Sequence, residues 1–391
     1  MTRHRRPAPT PGPRVADLDE ELTAKETTPK ETTPKETTVR RWAAQRLPSD
    51  LVHLDVAACG RLSTGAFDAE VAHLLAEASG GYVAEADALA TTDAGKAALA
   101  GLLGLAGTDV AYVDSGATAF ALLVAGWPLP RGARVGSAAS EYGGNAMVLR
   151  LLAEQRGWTL VDLPVDGLGR ITDVPGGLDL VTFAQVASQR GIAQPVQDAL
   201  RSGVPLLLDV AQSLGQTDVP LGAAAYVGTS RKWLCGPRGV GFCVVDPAWE
   251  VQLTGPPSLA TSVFQDIRRF EAPEAHVAGR VALSVAVLEW SPELLPVVLA
   301  RASQVRELMT GAGLSVVEPV DEPTGITTAT VPGDDVVGMR AALLAEGIVT
   351  SAVPISRAAD LKRPVLRLST AAWVTEEHLV KLAKALARRT H

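Results

Sequence analysis

Cysteine is nearly missing from this chain, with 3 in 391 residues (Cys59, Cys235 and Cys243) and no metal-ligand spacing among them. Such a scatter excludes a disulfide framework, implies no metal site and fits a reducing cytoplasm. Long apolar runs are missing too. None approaches the ~18 residues of a membrane-spanning helix, and the basic N-terminus continues through prolines and charges without the apolar centre of a signal peptide. Positive charge is in deficit: the formal net charge is −7, and basic residues cluster only at Arg3 to Arg6 and at Arg388-Arg389. A nucleic-acid partner would require a basic face. These deficits describe a cytoplasmic protein that handles small molecules, with neither nucleic acid nor membrane as partner.

What is plentiful is material for a core. Hydrophobic residues make up 47% of the chain and charged ones 20%, enough for one subunit of two domains. Residues 1–40 are the exception. There Lys25-Glu26-Thr27-Thr28-Pro29 is repeated at Lys30 to Pro34 and begun again at Lys35 to Thr38. A tract so rich in Pro, Thr and charge buries too little apolar surface to offset ordering entropy, and is expected to be a disordered tail. The amphipathic stretch Arg40 to Arg46 is expected to form a short helix. Apolar runs at 109–113, 134–136, 159–161, 180–183, 204–209, 224–228 and 241–245 alternate with helix-like segments. That alternation predicts an α/β fold, a mostly parallel sheet with helices on both faces, in a large domain over 41–255. Beyond it, helical stretches at 278–290, 295–309 and 375–388 with strands at 315–317, 327–331 and 365–368 predict a smaller α/β domain over 256–391.

Sites in such sheets gather at the carboxyl ends of the strands, and Ser115, Tyr142, Ser188, Asp209 and Lys232 each follow a predicted strand. Lys232 stands 23 positions after Asp209. A lysine amine able to lose its proton near neutral pH can condense with an aldehyde and later shuttle a proton. A carboxylate at a strand end can hold a pyridine nitrogen protonated, since an opposite charge favours the charged form, and a protonated ring is the better electron sink. Gln212 could donate to the ring hydroxyl oxygen, while Thr229 and Arg231 could bind a phosphate by hydroxyl and guanidinium. The turn Asp114-Ser115-Gly116 leads into a helix whose first-turn residues Ala117 and Thr118 would present free amides to the same anion. Each residue alone has a plainer reading: a solvated lysine, an acidic helix cap, an N-capping serine. Their conjunction points to pyridoxal 5'-phosphate.

Asp209-x-Ala211-Gln212 followed by Thr229-x-Arg231-Lys232-x-x-x-Gly236-Pro237-x-Gly239 resembles the class V aminotransferase family, fold type I pyridoxal phosphate enzymes that include the cysteine desulfurases. In order along residues 50 to 390, His53-Leu54-Asp55-Val56-Ala57-Ala58 resembles the family's opening segment and Asp114-Ser115-Gly116-Ala117-Thr118 its phosphate loop. Glu141-Tyr142-Gly143-Gly144-Asn145 resembles the segment whose ring stacks on the cofactor, and Leu366-Arg367-Leu368-Ser369 the segment that grips a substrate carboxylate. The resemblance implies a fold type I homodimer. It implies cofactor contacts from Ala117, Thr118, Tyr142, Ser188, Asp209, Gln212, Thr229 and Arg231, and substrate contacts from Arg367, Asn145 and Ala58. Departures stand beside the matches. Tyr142 replaces the usual stacking His, Arg231 replaces the usual phosphate His, and Glu271-Ala272-Pro273-Glu274 lacks the Gly-Thr by which a neighbouring subunit often reaches the phosphate.

Fold alone leaves transamination, racemisation, desulfuration and elimination open. A cysteine desulfurase needs a thiol on the loop before its carboxylate arginine, and residues 351–366 hold no cysteine. Cys59 could face the substrate or be inert; Cys235 and Cys243 are expected in the core. Elimination from a cysteine S-conjugate, a carbon–sulfur lyase reaction, needs only Lys232, Asp209 and the ring. The combination Leu54-Asp55-x-Ala57-Ala58-Cys59, Glu141-Tyr142-Gly143-x-Asn145 and Ala187-Ser188-x-Arg190-Gly191-x-Ala193-Gln194-Pro195 is similar to the carbon–sulfur lyase branch of the family. Alternatives are an aminotransferase, an epimerase, a desulfurase-like enzyme, or a non-catalytic protein on the same scaffold. For a trimethylammonium group, which favours aromatic partners, the scarce aromatics offer Tyr82, Phe183 and Trp373, each more simply read as core.

Overall fold

The structure, a computed structural model, describes residues 34–272 and 274–389. Val110–Val113 (β1), Arg134–Ser137 (β2), Thr159–Asp162 (β3), Leu180–Ala184 (β4), Leu206–Asp209 (β5), Ala225–Thr229 (β6) and Gly241–Val245 (β7) form one seven-stranded sheet. The order is β1-β7-β6-β5-β4-β2-β3, parallel except for β7, which runs antiparallel to both neighbours. Every predicted strand of this sheet is present, with ends moved by no more than two residues. β1, β4 and β7 are buried at every position, as strands covered on both faces must be. Successive side chains point to opposite faces. Val181, Phe183, Leu206, Leu208, Phe242 and Val244 thus enter one core, while Leu180, Leu207, Ala225, Val227, Cys243 and Val245 enter the other.

The helices that matter here are Pro34–Ala44 (α1), Thr64–Gly80 (α2), Ala84–Gly101 (α3), Gly116–Gly126 (α4), Gly143–Arg156 (α5), Val277–Leu288 (α6), Leu294–Gly311 (α7) and Glu376–Ala387 (α8). A second, antiparallel sheet is built from Ser315–Val316 (β8), Ile326–Thr330 (β9), Ser351–Val353 (β10) and Val365–Ser369 (β11), in the order β10-β11-β9-β8. Its core takes Val298, Val305 and Met309 from α7, Leu379, Leu382 and Leu386 from α8, and Trp42 from α1.

Helix α1 starts inside the stretch expected to be a disordered tail; residues 1–33 of that tail lie outside the described residues. The helix runs through the third, incomplete copy of the repeat because Pro34 at its first turn has a preset φ and no amide to satisfy. Glu36 adds an acid where the helix dipole favours it. Its far end is fastened by packing. Trp42 stacks on Trp373 with centroids 5.6 Å apart and planes 5° apart, and the Arg46 guanidinium lies 3.5 Å over Trp42.

Between the sheets runs the segment 54–60. The Leu54 amide donates to Val349 O at 3.0 Å and Ala57 N to Ser369 Oγ at 2.9 Å, both in the small-sheet region, while Gly60 N reaches Arg231 O in the lysine loop at 2.6 Å. In the opposite direction, the loop after β10 crosses to the large sheet, where Asp360 accepts from Gln189 Nε2 at 3.0 Å and pairs with Arg190 at 3.5 Å. These two crossings bring the carboxyl ends of β5 and β6 to face β11.

Candidate active site

Lys232 sits in a loop tied down almost entirely by itself. Ser230 N donates to Val240 O at 3.1 Å, Ser230 Oγ to Pro237 O at 2.6 Å, and Cys235 N to Lys232 O at 3.0 Å, with Cys235 in the left-handed region at φ 56°. Trp233 points the other way, its indole donating to Gln212 Oε1 at 2.9 Å. The lysine is therefore left half-buried, with no hydrogen bond from Nζ among the described residues. Burial pulls its pKa down to about 7, against the pull of Asp209, which favours the ammonium; Arg231, Arg367 and Arg357 add to the lowering.

Asp209 ends β5 beside it. Its Oδ1 accepts from Ala211 N at 2.8 Å and its Oδ2 from Asn145 Nδ2 at 2.9 Å. The same Asn145 nitrogen donates to Glu141 Oε1 at 3.0 Å, which also takes Tyr142 N at 2.7 Å. One amide thus bridges two carboxylates. Burial first, then the charge of Asp209, pushes Glu141 up to about 8, and burial raises Asp209 while Lys232 opposes the rise. Of the two acids only Asp209 has the Lys232 charge beside it to oppose that rise, which favours the carboxylate a pyridinium nitrogen would face.

The phosphate end of the site is equally concrete. Ser115 caps α4, its Oγ accepting from Thr118 N at 3.0 Å and lying 2.9 Å from Thr118 Oγ1. The expectation of a free Thr118 amide is corrected by that cap: the amides left at the first turn are those of Gly116 and Ala117. A Cβ on Gly116 would come within 2.9 Å of Gly228 O and 3.6 Å of Thr229 Cβ, and one on Gly241 within 2.2 Å of Ser115 C. Missing side chains therefore let the helix end approach β6, with Thr229 at its edge. Arg231 has no ion pair among the described residues; burial, then Arg238, lowers its pKa. A half-buried amine poised near neutrality, an opposed carboxylate, free helix amides and an unpaired guanidinium fit pyridoxal 5'-phosphate, with Lys232, Asp209, Thr229 and Arg231 as its holders.

Several sequence expectations land differently. Gln212 spends its amide on structure, donating to Ala57 O at 3.0 Å and accepting from Trp233, so one N–H remains for a ring hydroxyl. Asn145, expected against substrate, is buried behind Asp209 because its two donors are what separate two buried acids. Ala58 is half-buried in the turn closed by its own amide to Asp55 O at 3.0 Å. Arg367 does project from β11 toward the cleft, but its terminal nitrogens reach Ser188 O at 2.8 Å, Asp55 Oδ1 at 3.0 Å and Ser351 Oγ at 3.2 Å. Only its buried Nε lacks a partner. Ser188 is buried and meets Arg367 through its carbonyl. Tyr142 is 37% exposed at the start of α5. Phe183 and Trp373 are core, and Tyr82 is 89% exposed in the turn between α2 and α3. Cys235 and Cys243 are buried, with pKa values pushed up to about 11 and about 12 by burial, while Cys59 is half-buried. Glu271, where the Gly-Thr is absent, accepts from Tyr112 N at 2.7 Å and pairs with Lys96 at 2.7 Å. The residues sequence reasoning passed over are Asp55 as the partner of Arg367, Glu141 as the second acid, and Arg357. Each acts across a long stretch of chain, and only the Asp in a turn after an apolar strand offered a local signal.

Comparison with known proteins places this geometry in context. The family model for Aminotransferase class-V matches residues 53–299. The probable hercynylcysteine sulfoxide lyase of Mycobacterium tuberculosis (strain CDC 1551 / Oshkosh) is 37% identical over 377 residues, 90% of this chain and 93% of that protein. Isopenicillin N epimerase of Amycolatopsis lactamdurans is 30% identical over 238 residues, 53% of this chain and 59% of that protein. Among solved structures, the apo cysteine desulfurase from Thermococcus onnurineus NA1 superposes with a TM-score of 0.80 at 16% identity, covering 92% of this chain and 99% of that one. The cystine C-S lyase C-DES with its product cysteine persulfide gives 0.78 at 17%, covering 87% and 98%. These superpositions show a fold type I α/β scaffold.

Proposed function

The chain belongs to the class V aminotransferase family, and from that premise we propose that it cleaves the carbon–sulfur bond of hercynylcysteine sulfoxide by β-elimination. The products are pyruvate, ammonia and a sulfenate on the hercynine imidazole, whose reduction completes ergothioneine. One observation carries the reading: Lys232 is a poised base facing Asp209, on a scaffold whose loop before Arg367 holds no thiol. The relative in Mycobacterium tuberculosis named for that substrate supports it.

The cofactor is pyridoxal 5'-phosphate, which supplies the electron sink that makes an α-proton removable and a β-substituent expellable. This chain's residues do the rest. Lys232 Nζ, neutral above about pH 7, takes the α-proton. Asp209, steadied by Ala211 N and Asn145, keeps the pyridine nitrogen protonated. Gly116 and Ala117 amides with Thr229 and Arg231 would hold the phosphate, and Tyr142 would stand beside the ring. Arg367 receives the α-carboxylate through its free Nε, with Asp55 and Ser188 fixing the guanidinium plane. Isopenicillin N epimerase as a relative favours epimerisation as the second reading; that reaction returns the α-proton and makes no pyruvate.

We also take the protein to be a cytoplasmic homodimer of subunits with a large domain over 41–255 and a small one over 256–391. Phe67, Val71, Leu74 and Leu75 on α2 and Leu89 on α3 are exposed, an apolar face suited to a second copy. No helix among the described residues is long and apolar enough to cross a membrane. The test is product analysis with the purified holoenzyme and a cysteine S-conjugate sulfoxide. Pyruvate in step with substrate loss supports elimination, inverted substrate without pyruvate supports the epimerase, and neither product rejects both.

A further inference from the structure

Four cations meet at the cleft, and two of them are unpaired. Asp55 serves Arg367, and Asp209 faces Lys232. Arg231 stands at the phosphate end. That leaves Arg357, which follows β10 in the loop crossing to the large sheet. Its side chain makes neither hydrogen bond nor ion pair among the described residues; its guanidinium carbon lies 5.9 Å from the ring centroid of Tyr142. The backbone is held close, because Gly143 has no side chain to keep it away: a Cβ there would be 3.0 Å from Arg357 O. Three residues on, Asp360 is anchored to Gln189 and Arg190. Arg357 is therefore a fixed, half-buried positive charge at the mouth, on the Tyr142 side. Its field reaches inward, since it contributes to the lowered pKa of Arg231, Lys232 and Arg367 alike.

Like charges gathered without a counter-ion are costly unless an anion completes them. The phosphate completes Arg231 and the α-carboxylate meets Arg367, whose terminal nitrogens are already engaged. We propose that Arg357 recognises a second carboxylate, one carried on the sulfur-side arm of the substrate, and so selects dianionic cysteine S-conjugates over simple ones. A guanidinium suits the task, offering a planar fork to a carboxylate. This inference rests on the elimination reading for its substrate class, and it adds a specificity residue to that site.

The experiment uses the holoenzyme and two sulfoxides of equal length, S-(2-carboxyethyl)cysteine sulfoxide and its carboxamide. Binding is read from the visible absorption of the cofactor, and turnover from pyruvate. The wild type should bind the acid more tightly than the amide by about 10- to 100-fold, the worth of hydrogen bonds to a charged group. Arg357→Gln should abolish that preference by weakening binding of the acid, raising KM for the acid far more than for the amide, and Arg357→Lys should keep part of it. Equal binding of acid and amide by the wild type, persistence of the preference in Arg357→Gln, or equal losses for both compounds would overturn the proposal. Absence of pyruvate with the wild type would reject elimination and leave the binding comparison intact as the test of Arg357.

Discussion

Lys232 and Arg367 are two cations on opposite walls of one cleft, and they are treated in opposite ways. Arg367, on the antiparallel sheet, is given a carboxylate, a carbonyl and a hydroxyl. Lys232, in the loop after β6, faces Asp209 but has no hydrogen bond from Nζ among the described residues, and burial loosens its proton to about pH 7. A satisfied charge holds geometry and an unsatisfied one does chemistry, because an ion pair spends its field on its partner.

The contrast breaks most sharply at the lysine. Lys232→Ala should lower pyruvate formation by about 10³-fold or more, since base and cofactor anchor go together, while urea unfolding of the variant stays near that of the wild type. Asp55→Asn tests the other wall. It strands a buried guanidinium and should cost about 3–5 kcal/mol of stability in a denaturant titration, and the double variant Asp55→Asn with Arg367→Gln should recover much of the loss because no unpaired charge remains. A pH series sharpens the comparison further. The amine is neutral above its lowered pKa, so cofactor uptake by the apoprotein should be fast above about pH 7 and slow below it. In Asp209→Asn the field that favours the ammonium is gone, so the midpoint should move to lower pH. The smallest effect belongs to the phosphate end, where Ser115→Ala removes the α4 cap and should cost about 1 kcal/mol by thermal unfolding.

The large sheet was legible in the sequence because its strands are unbroken apolar runs, each bounded by polar or glycine turns. Helices α2 and α3 gave no comparable signal. Most of their buried positions are small, Ala66, Ala84, Ala88, Gly95 and Ala100 beside His73 and Leu99, while Phe67, Leu74, Leu75 and Leu89 lie exposed, so the usual apolar stripe is largely missing. Close packing explains it: a Cβ on Gly95 would stand 2.2 Å from Ser284 Cβ. In the site, the chemistry-bearing types after strand ends were readable, since topology alone collects them. Their pairings were not. Asp55 and Arg367 are 312 residues apart, and Asn145 and Asp209 are 64 apart, distances over which no pattern of residues announces who meets whom. For Arg367 the sequence placed a guanidinium near the cleft without revealing the acid that pairs with it.

Helix α1 couples the two ends of the molecule's logic. Trp42 and Arg46 form a rung against Trp373, and Arg46 Nε also donates to Arg61 O at 3.4 Å, beside Gly60, whose amide holds Arg231 O next to Lys232 at 2.6 Å. The last turns of the repeat-bearing segment therefore act as a buckle on the loop that presents the reactive amine. Shortening the chain past Arg46 would unfasten that buckle, and the change would register as lost yellow colour long before it registered as lost fold.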